Sequence, residues 1–138
     1  MYRIVTDPKP PQKDIQIVRA GIIAFNSSVL GEEDKDVYVF LKDEQDDVKG
    51  GVLGMMTPES MFVHILWIEE ALRGQDYGTK LLRAAEMEAI NNGCRYSVLD
   101  TFEFQAEGFY LKNGYKRMGE IKDYISGYSR IFLKKELR

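Results

Sequence analysis

The stretch MFVHILWIEEALRGQDYGTKLLRAAEMEAI, from Met61 to Ile90, decides the fold. Its first eight residues, MFVHILWI, are nearly all apolar, and this pattern predicts a central β-strand with both faces covered. The run LLRAAEMEAI repeats apolar residues at helical spacing, and it predicts an α-helix that ends at the NNG of residues 91–93. A glycine-containing loop, RGQDYGTK, therefore joins a buried strand to a long helix.

The loop RGQDYGTK has the features of an anion site. Backbone N–H groups at a helix start lack intrahelical partners, and the helix dipole adds to their attraction for phosphate. Glycines let a phosphate approach the backbone, and we expect the helix to start near Gly78. Asp76 is compatible with such a loop if it contributes only its amide, because aspartate adopts left-handed turns readily and can cap a helix start.

Spacing excludes two common phosphate-binding loops. A Walker loop requires G-x-x-x-x-G-K-[ST], but Gly74 lies four residues before Gly78, which is followed by Thr79 and Lys80. A dinucleotide fingerprint requires G-x-G-x-x-G in an N-terminal βαβ unit, and the sequence has none. Neither ATP nor NAD is favoured as the ligand.

The chain before this stretch is predicted to form a strand, a helix and a hairpin. YRIVT, at residues 2–6, is rich in β-branched residues and predicts a short strand. Apolar residues then recur at helical spacing from about Asp14 to Asn26, where NSSVLG should end the helix. The segments DVYVFLK and VKGGVLGMM read as two strands joined by the acidic loop DEQDD.

The chain after this stretch completes a mixed sheet. YSVLDTF is predicted to be a strand, and Gln105 to Lys112 a short helix with Gly114 as its C-terminal cap. YKRMGEI and YSRIFLKKEL can then pair antiparallel across the loop KDYISG. The order β-α-β-β-β-α-β-α-β-β predicts an α/β (α+β) fold, with one mixed sheet and helices on its faces.

Composition limits the possible classes of protein. A chain of 138 residues with 44% hydrophobic content predicts one packed domain, residues 1–138. The net charge of −3 gives no basic field for nucleic acid, so we expect no nucleic-acid partner. Cys94 is the only cysteine and His64 the only histidine, so we expect no metal site. The start lacks a leader pattern and no long apolar run follows, so we expect a cytoplasmic protein without a membrane partner.

Arg73 to Gly78 resembles motif A of the GNAT acyltransferases, Q/R-x-x-G-x-G/A, whose backbone amides hold the pyrophosphate of acetyl-coenzyme A (acetyl-CoA). Arg73 and Gly78 match the ends of the motif, and Asp76 replaces its middle glycine. The segments ILWIEEALRG and GFYLKNGYKRMG resemble the flanking parts of the family, and the element order agrees along nearly all of the chain. The sequence is identified as a member of the GNAT superfamily.

The resemblance implies a GNAT-like fold, in which MFVHILWI and YSVLDTF are parallel central strands that splay apart. The pantetheine arm of acetyl-CoA would pair with the backbone of the first strand as an added strand. The implied activity is an N-acetyltransferase that moves an acetyl group from acetyl-CoA to a primary amine by direct attack in a ternary complex. The cofactor-binding residues implied by the family are Leu66, Trp67, Ile68, Arg73, Gly74, Gln75, Asp76, Tyr77, Gly78 and Thr79.

Two residues are the catalytic candidates. Tyr110 matches the tyrosine of the family's FY pair, which implies a general acid near the cofactor sulfur; the alternative is a tyrosine that only packs its helix on the sheet. His64 is the candidate base, because histidine titrates near neutrality and alternation places it on one face with Phe62 and Leu66. A core histidine, with a water chain to Glu103 as base, is the alternative. Glu103 also replaces a family asparagine, which makes its contact with the cofactor doubtful.

The acceptor and the oligomeric state stay open. The acceptor is expected to be a small-molecule or peptide amine, and neither NSSVLGEEDKD nor IKDYISGYS carries a specificity motif, although Tyr124 and Tyr128 could line the acceptor pocket. The acidic loops flanking DVYVFLK could attract a polyamine, an aminoglycoside or a basic protein tail, but solvated loops are the favoured explanation, because charge in loops needs no function. A homodimer is compatible with exposed terminal strands. The competing class is a non-catalytic coenzyme-A-binding domain that has kept the fold.

Overall fold

The first 33 residues contribute one helix. In the computed structural model, which describes every residue from Met1 to Arg138, the chain divides into two units, residues 1–33 and residues 34–138. Helix α1, Gln12–Leu30, ends at Gly31, whose left-handed backbone (φ 84°) lets its N–H donate to the Ser27 carbonyl. None of the helices is long and apolar enough to cross a lipid bilayer.

Two predictions for residues 1–33 are wrong. Residues 2–6 form no strand; they are exposed and belong to no ladder, and β-branched content alone does not make a strand without a partner. NSSVLG does not end the helix at Asn26; residues 27–30 are helical, and the Ser28 hydroxyl donates to the Phe25 carbonyl at 2.6 Å within the helix. The helix therefore continues to Gly31, where a glycine can turn left-handed.

Residues 34–138 build a six-stranded mixed sheet, which confirms the α+β fold. The strand order is β1-β2-β3-β4-β6-β5, and only β3 and β4 pair in parallel. The strands are β1, Lys35–Lys42; β2, Val48–Thr57; β3, Ser60–Ile68; β4, Tyr96–Phe102; β5, Lys116–Ile125; and β6, Tyr128–Glu136. Between strands lie a short 3-10 helix, Glu70–Leu72, and the helices α2, Tyr77–Asn91, and α3, Glu107–Lys112.

Two boundaries near the end of the chain differ from the prediction. The loop predicted at residues 122–127 is shorter, because β5 continues to Ile125 and the turn consists of Ser126 and Gly127, both left-handed, as tight hairpins require. Helix α3 starts at Glu107 rather than Gln105, because the Gln105 side chain accepts hydrogen bonds from the Phe102 amide at 2.7 Å and from a threonine hydroxyl, and so closes a turn.

Helices α2 and α3 pack on one face of the sheet and share its core. Leu81, Leu82, Ala85 and Ala89 of α2 are buried. Tyr110 of α3 belongs to the same cluster. The strand side chains in this cluster are Val37, Val52, Met56, Met61, Val63, Leu99, Ile131 and Leu133. The opposite face of the sheet carries the alternate side chains of the same strands, including Phe102 and Arg130.

A β-bulge at His64 reverses the faces of β3. Val63 pairs with Gly54 and Ile65 with Leu53, so His64 is an extra residue that β2 does not match. Before the bulge, Val63 points into the core; after it, Leu66 pairs with the buried Val52 and packs against the core as well. The expectation that His64 shares a face with Leu66 is therefore wrong, although its ring does lie 4.9 Å from that of Phe62.

The predicted splay between the two parallel strands is confirmed. Pairing of β3 with β4 runs only from Ser60 and Tyr96 to Val63 and Leu99. Beyond that point β3 continues to Ile68 on the side of β2, whereas β4 continues on the side of β6. The edge of β3 that faces β4 is thus free of strand partners over its last residues.

Candidate active site

A cavity of about 650 Å³ opens at the splayed ends of β3 and β4. Its walls are the end of β3, the loop that leads to α2, the first turn of α2, the segment after β4, and α3. Nine predicted cofactor-binding residues line it: Leu66, Trp67, Ile68, Arg73, Gly74, Asp76, Tyr77, Gly78 and Thr79. Gln75, the tenth, does not line the cavity, and its side-chain amide donates to the Ala71 carbonyl at 3.3 Å.

The loop before α2 places backbone N–H groups at the cavity. Gly74 and Asp76 are both left-handed, with φ of 76° and 72°, so the predicted left-handed turn at Asp76 is confirmed. The first intrahelical bond runs from the Lys80 N–H to the Asp76 carbonyl at 3.2 Å. The N–H groups of Tyr77, Gly78 and Thr79 precede this bond and are free for an anion.

The prediction that the Asp76 side chain can cap α2 is wrong. Asp76 occupies the N-cap position, but its carboxylate makes no capping hydrogen bond. A side-chain cap normally requires an extended backbone at this position, whereas Asp76 is left-handed. Its backbone conformation shapes the loop, and its carboxylate adds a negative charge beside an anion site.

Arg73 ties the loop to the strand that forms the cavity wall. Its Nε donates to the Ile68 carbonyl at 2.9 Å, which fixes the guanidinium at the carboxyl end of β3. No other hydrogen bond of the structure involves this guanidinium, so its terminal amino groups can meet an anion. Arg73 therefore places a cation beside the free N–H groups at the start of α2.

Gly78 lets the start of α2 pack closely against α3. A Cβ at this position would lie 3.2 Å from the Phe109 ring and 3.4 Å from Cδ1 of Ile68. Phe109 packs against the core and also lines the cavity. The glycine thus brings the first turn of α2 and the aromatic side of α3 to opposite sides of one cavity.

Tyr110 lines the same cavity from α3 and is buried, with 7% of its surface exposed. Its ring meets those of Phe109 and Tyr115 edge to face, at 5.3 and 5.8 Å between centroids. Burial raises the pKa of the Tyr110 phenol, and the charge of Asp100 raises it further. None of the structure's hydrogen bonds involves this hydroxyl, which therefore holds its proton at neutral pH and is able to donate it.

The two candidate bases lie outside the cavity lining. His64 is exposed at the bulge, on the face of the sheet opposite α2 and α3. Glu103 is engaged with β6: its Oε1 accepts from the Ser129 amide at 3.0 Å, and its own amide donates to the Ser129 carbonyl at 2.9 Å. The structure thus groups Tyr110 with the anion loop and separates both His64 and Glu103 from it.

Sequence reasoning missed part of the cavity wall. The unpredicted residues are Leu72, Phe104, Gln105, Ala106 and Phe109. The middle three lie just beyond the end of β4, after Glu103, and ligands of sheets with parallel strands bind beyond the carboxyl ends of those strands. Their position just after YSVLDTF was therefore the signal that could have found them.

The splayed pair of parallel strands, the free N–H groups at the start of α2 and the cavity-lining Tyr110 fit the class of acyltransferases. The chain belongs to the GNAT acetyltransferases: residues 33–117, more than half of its length, match the family described as "Acetyltransferase (GNAT) domain". It is therefore an acyltransferase of the acetyltransferase class.

Individual relatives support this assignment. The chain is 33% identical to an acetyltransferase of Agrobacterium fabrum, Atu2258, across 86% of this chain and 87% of that protein. It is 36% identical to the blasticidin-S acetyltransferase of Streptomyces morookaense, across 68% of this chain and 70% of that protein. An acetyltransferase structure from Bacillus cereus superimposes with a TM-score of 0.80 at 31% identity, covering 96% of this chain and 97% of the other.

Proposed function

We propose that this protein is an acetyl-CoA-dependent N-acetyltransferase that acetylates the primary amine of a small molecule by direct attack in a ternary complex. One observation carries the proposal. A single cavity combines the free N–H groups before Lys80, the unpaired edge of β3 and the buried hydroxyl of Tyr110. The free N–H groups suit a pyrophosphate, the unpaired edge of β3 suits an amide-bearing arm, and the Tyr110 hydroxyl suits a leaving thiolate.

The anion loop is suited to the pyrophosphate of acetyl-CoA. Its free N–H groups at the start of α2, together with the Arg73 guanidinium, offer several donors at one end of the cavity. The absence of acidic residues from the first turn of α2 avoids repulsion there, apart from the Asp76 carboxylate at the cap. These donors would hold a diphosphate and leave the rest of the cavity for the arm.

The free edge of β3 is suited to the pantetheine arm. Because pairing with β4 stops at Val63, backbone groups of Leu66, Trp67 and Ile68 on that edge have no strand partner. An extended chain with amide groups can add to such an edge by hydrogen bonds. One of the N–H groups on this edge would donate to the thioester oxygen as negative charge develops on it.

Acetyl-CoA, when bound, supplies a thioester whose carbonyl carbon forms the C–N bond with the amine as the C–S bond breaks. Tyr110 would give its phenolic proton to the leaving sulfur, because its burial keeps that proton in place at neutral pH. The proton of the attacking ammonium would pass to a base on the acceptor side, for which His64 is the candidate. His64 lies on the face of the sheet opposite α2 and α3, outside the cavity lining, so a water would have to bridge it to the amine.

The proposed acceptor class is a small-molecule amine. Support comes from the relative named blasticidin-S acetyltransferase, which is 36% identical to this chain.

Two measurements test the proposed function. Titration calorimetry should show saturable binding of acetyl-CoA, and a thiol-release assay over a panel of primary amines should show turnover with some of them. Binding without thiol release from any amine would favour the competing class, a non-catalytic coenzyme-A-binding domain. Absence of saturable binding at millimolar acetyl-CoA would contradict both readings.

Replacing the Asp76 carboxylate should tighten the binding of coenzyme A. Asp76→Asn removes the charge beside the anion loop and keeps a residue that tolerates the left-handed backbone. Removing one like charge near a diphosphate is worth about 1 kcal/mol at exposed distances, or a roughly fivefold lower Kd. Asp76→Gly should tighten binding similarly, because glycine also accepts φ near 72°.

Calorimetry with coenzyme A on the two Asp76 variants separates charge from loop shape. Lower Kd values for both variants would show that the Asp76 carboxylate weakens coenzyme A binding in the wild-type protein. Weaker binding by Asp76→Asn would mean that the carboxylate itself organises the loop, and would contradict the role assigned here to the backbone alone.

A further inference from the structure

Four aromatic side chains form a continuous cluster at the end of β4. The rings of Phe102 and Phe104 are stacked, with centroids 5.4 Å apart and planes 8° from parallel. Phe104 meets Tyr128 edge to face at 4.9 Å, and Phe102 lies 5.9 Å from Tyr124. We call these four residues, which come from β4, β5, β6 and the segment after β4, the aromatic wall.

The aromatic wall is open to solvent although its rings pack against one another. Phe104 is 55% exposed, Tyr124 46% and Tyr128 45%. Single exposed aromatic residues are common on protein surfaces, but a contiguous exposed cluster marks a place where something binds. Because the rings already contact each other, little side-chain freedom would be lost on binding.

Arg130 holds the ring of Tyr124 in place and neutralises the charge of the neighbouring Asp100. Its guanidinium donates to both carboxylate oxygens of Asp100, at 2.9 and 3.1 Å, and to the Tyr124 hydroxyl at 3.1 Å. The same guanidinium lies 5.3 Å from the centroid of the Tyr124 ring. The Asp100 charge is thereby paired, and Tyr124 is fixed by both a hydrogen bond and a cation–π contact.

The aromatic wall is continuous with the cavity of the candidate active site through Phe104. Phe104 belongs both to the cavity lining and to the stacked ring pair. The side chains of Phe102 and Arg130 stand on the face of the sheet opposite α2 and α3, and Phe104 joins this face to the cavity. A molecule that binds the aromatic wall at Phe104 would therefore lie next to the cavity between the splayed ends of β3 and β4.

We propose that the aromatic wall is the acceptor subsite and that it selects an amine carried on a planar aromatic or heteroaromatic ring; this rests on the proposed acetyltransferase function. Flat rings stack on the exposed faces of Phe104, Tyr124 and Tyr128, and each such contact adds to the burial of apolar surface. A flexible polycation would instead need free carboxylates. Two carboxylates beside the wall are already engaged, Asp100 by Arg130 and Glu103 by the Ser129 amide.

The test compares ring amines with saturated amines of the same size. The probes are benzylamine and 4-(aminomethyl)pyridine, against cyclohexylmethylamine. Their binding to the full-length protein saturated with coenzyme A is measured by calorimetry, and their acetylation by thiol release. The wild-type protein should prefer the planar probes in both measurements.

Two variants locate that preference in the wall. Tyr124→Leu and Tyr128→Leu should each reduce the planar-to-saturated preference by about three- to tenfold, as expected for the loss of one aromatic contact. Tyr124→Phe keeps the ring and should keep the preference. Tyr38→Leu, which removes a tyrosine that is 60% exposed on β1 at the opposite edge of the sheet, is the matched control and should change nothing.

Each outcome decides the proposal, separately from the proposed function. A preference that disappears in the two leucine variants supports the wall as the acceptor subsite. A preference unchanged in them, or no preference or binding in the wild type, overturns it, even if other amines are acetylated. If planar amines bind at the wall but no amine releases thiol, the subsite stands as a binding site and the acetyltransferase function fails.

Discussion

Tyr110→Phe is expected to lower kcat by about 10²- to 10⁴-fold, the usual effect of removing a general acid. Acetyl-CoA affinity should change by less than about threefold, because the phenylalanine ring keeps the packing against Phe109 and Tyr115. Loss of turnover without loss of binding is the pattern of a group that acts only as the C–S bond breaks. Steady-state kinetics together with calorimetry would show it, and an unchanged kcat would remove Tyr110 from the mechanism.

The pH dependence of kcat gives an independent check on Tyr110. Burial, and next the charge of Asp100, raise the pKa of Tyr110 above the ordinary tyrosine value of about 10. A proton donor acts in its protonated form, so it is fully available below this pKa and is lost as pH rises through it. Wild-type activity should therefore show no decline due to Tyr110 below about pH 10.

Two further variants serve as controls for Tyr110. Tyr115→Phe makes the same change in the neighbouring tyrosine. Because the Tyr115 hydroxyl is hydrogen-bonded to Glu86 and Ser97 and does not line the cavity, kcat should be nearly unaltered. His64→Ala tests the other end of the proton path. If His64 is the base, kcat should fall by about 10²- to 10⁴-fold, and an unchanged kcat would contradict that role.

Lys135→Met should lower the free energy of unfolding by about 3 kcal/mol, the lower end of the range for breaking a buried ion pair. Lys135 Nζ lies 2.8 Å from Oε1 of Glu86, whose side chain is only 7% exposed. The lower end applies because the Lys135 side chain is 25% exposed, so water screens part of the interaction. In the variant, the Glu86 carboxylate would stay buried without its counter-ion.

The network around Glu86 explains why this loss is large for one side chain. The Tyr115 hydroxyl donates to Oε2 of Glu86 at 2.8 Å, so the Ser97 hydroxyl, 2.6 Å away, must donate to the tyrosine oxygen. These bonds join α2, β4 and the residue just before β5, and the lysine adds β6. All four elements border the core beneath Tyr110.

Chemical denaturation of the single and double variants measures the contribution of the pair. Glu86→Gln combined with Lys135→Met removes the buried charge and keeps an acceptor for Tyr115, so it should recover part of the loss. Lys134→Met, a neighbouring lysine of β6 over the Tyr96 ring, is the matched control and should cost less than about 1 kcal/mol. Equal losses in the two lysine variants would contradict a special role for the Glu86 pair.

Much of the fold of residues 34–138 could be predicted from periodicity. The bounds of β4 agree with YSVLDTF, and the hairpin of β1 and β2 turns at DEQDD as expected. The errors fall where the outcome depends on distant partners. A strand at residues 2–6 needs a neighbour that the local sequence cannot supply, and the bulge at His64 depends on the register with β2.

The candidate site was predictable where its residues lie close together in the sequence. The loop from Arg73 to Gly78 and the tyrosine of GFYLKNGY have local patterns, and both line the cavity. The side of the cavity formed by Phe104, Gln105 and Ala106 depends on how far β3 and β4 diverge, and no local sequence pattern determines that distance. The separation of His64 from the cavity follows from the bulge as well, because alternation alone places His64 and Leu66 on one side.

The bulge at His64 also makes the length of β3 matter as much as its composition. β3 uses nine residues, Ser60–Ile68, to pair with eight residues of β2, and the extra residue decides which side chains after it face the core. Deleting His64 alone would restore a regular ladder and keep Leu66 and Ile68 on the core face, because Val63 and Leu66 would then be two positions apart. A deletion after the bulge, such as that of Leu66, would instead bring Trp67 opposite Val52 and turn it towards the core, so His64 is the position of β3 where a single deletion should be tolerated best.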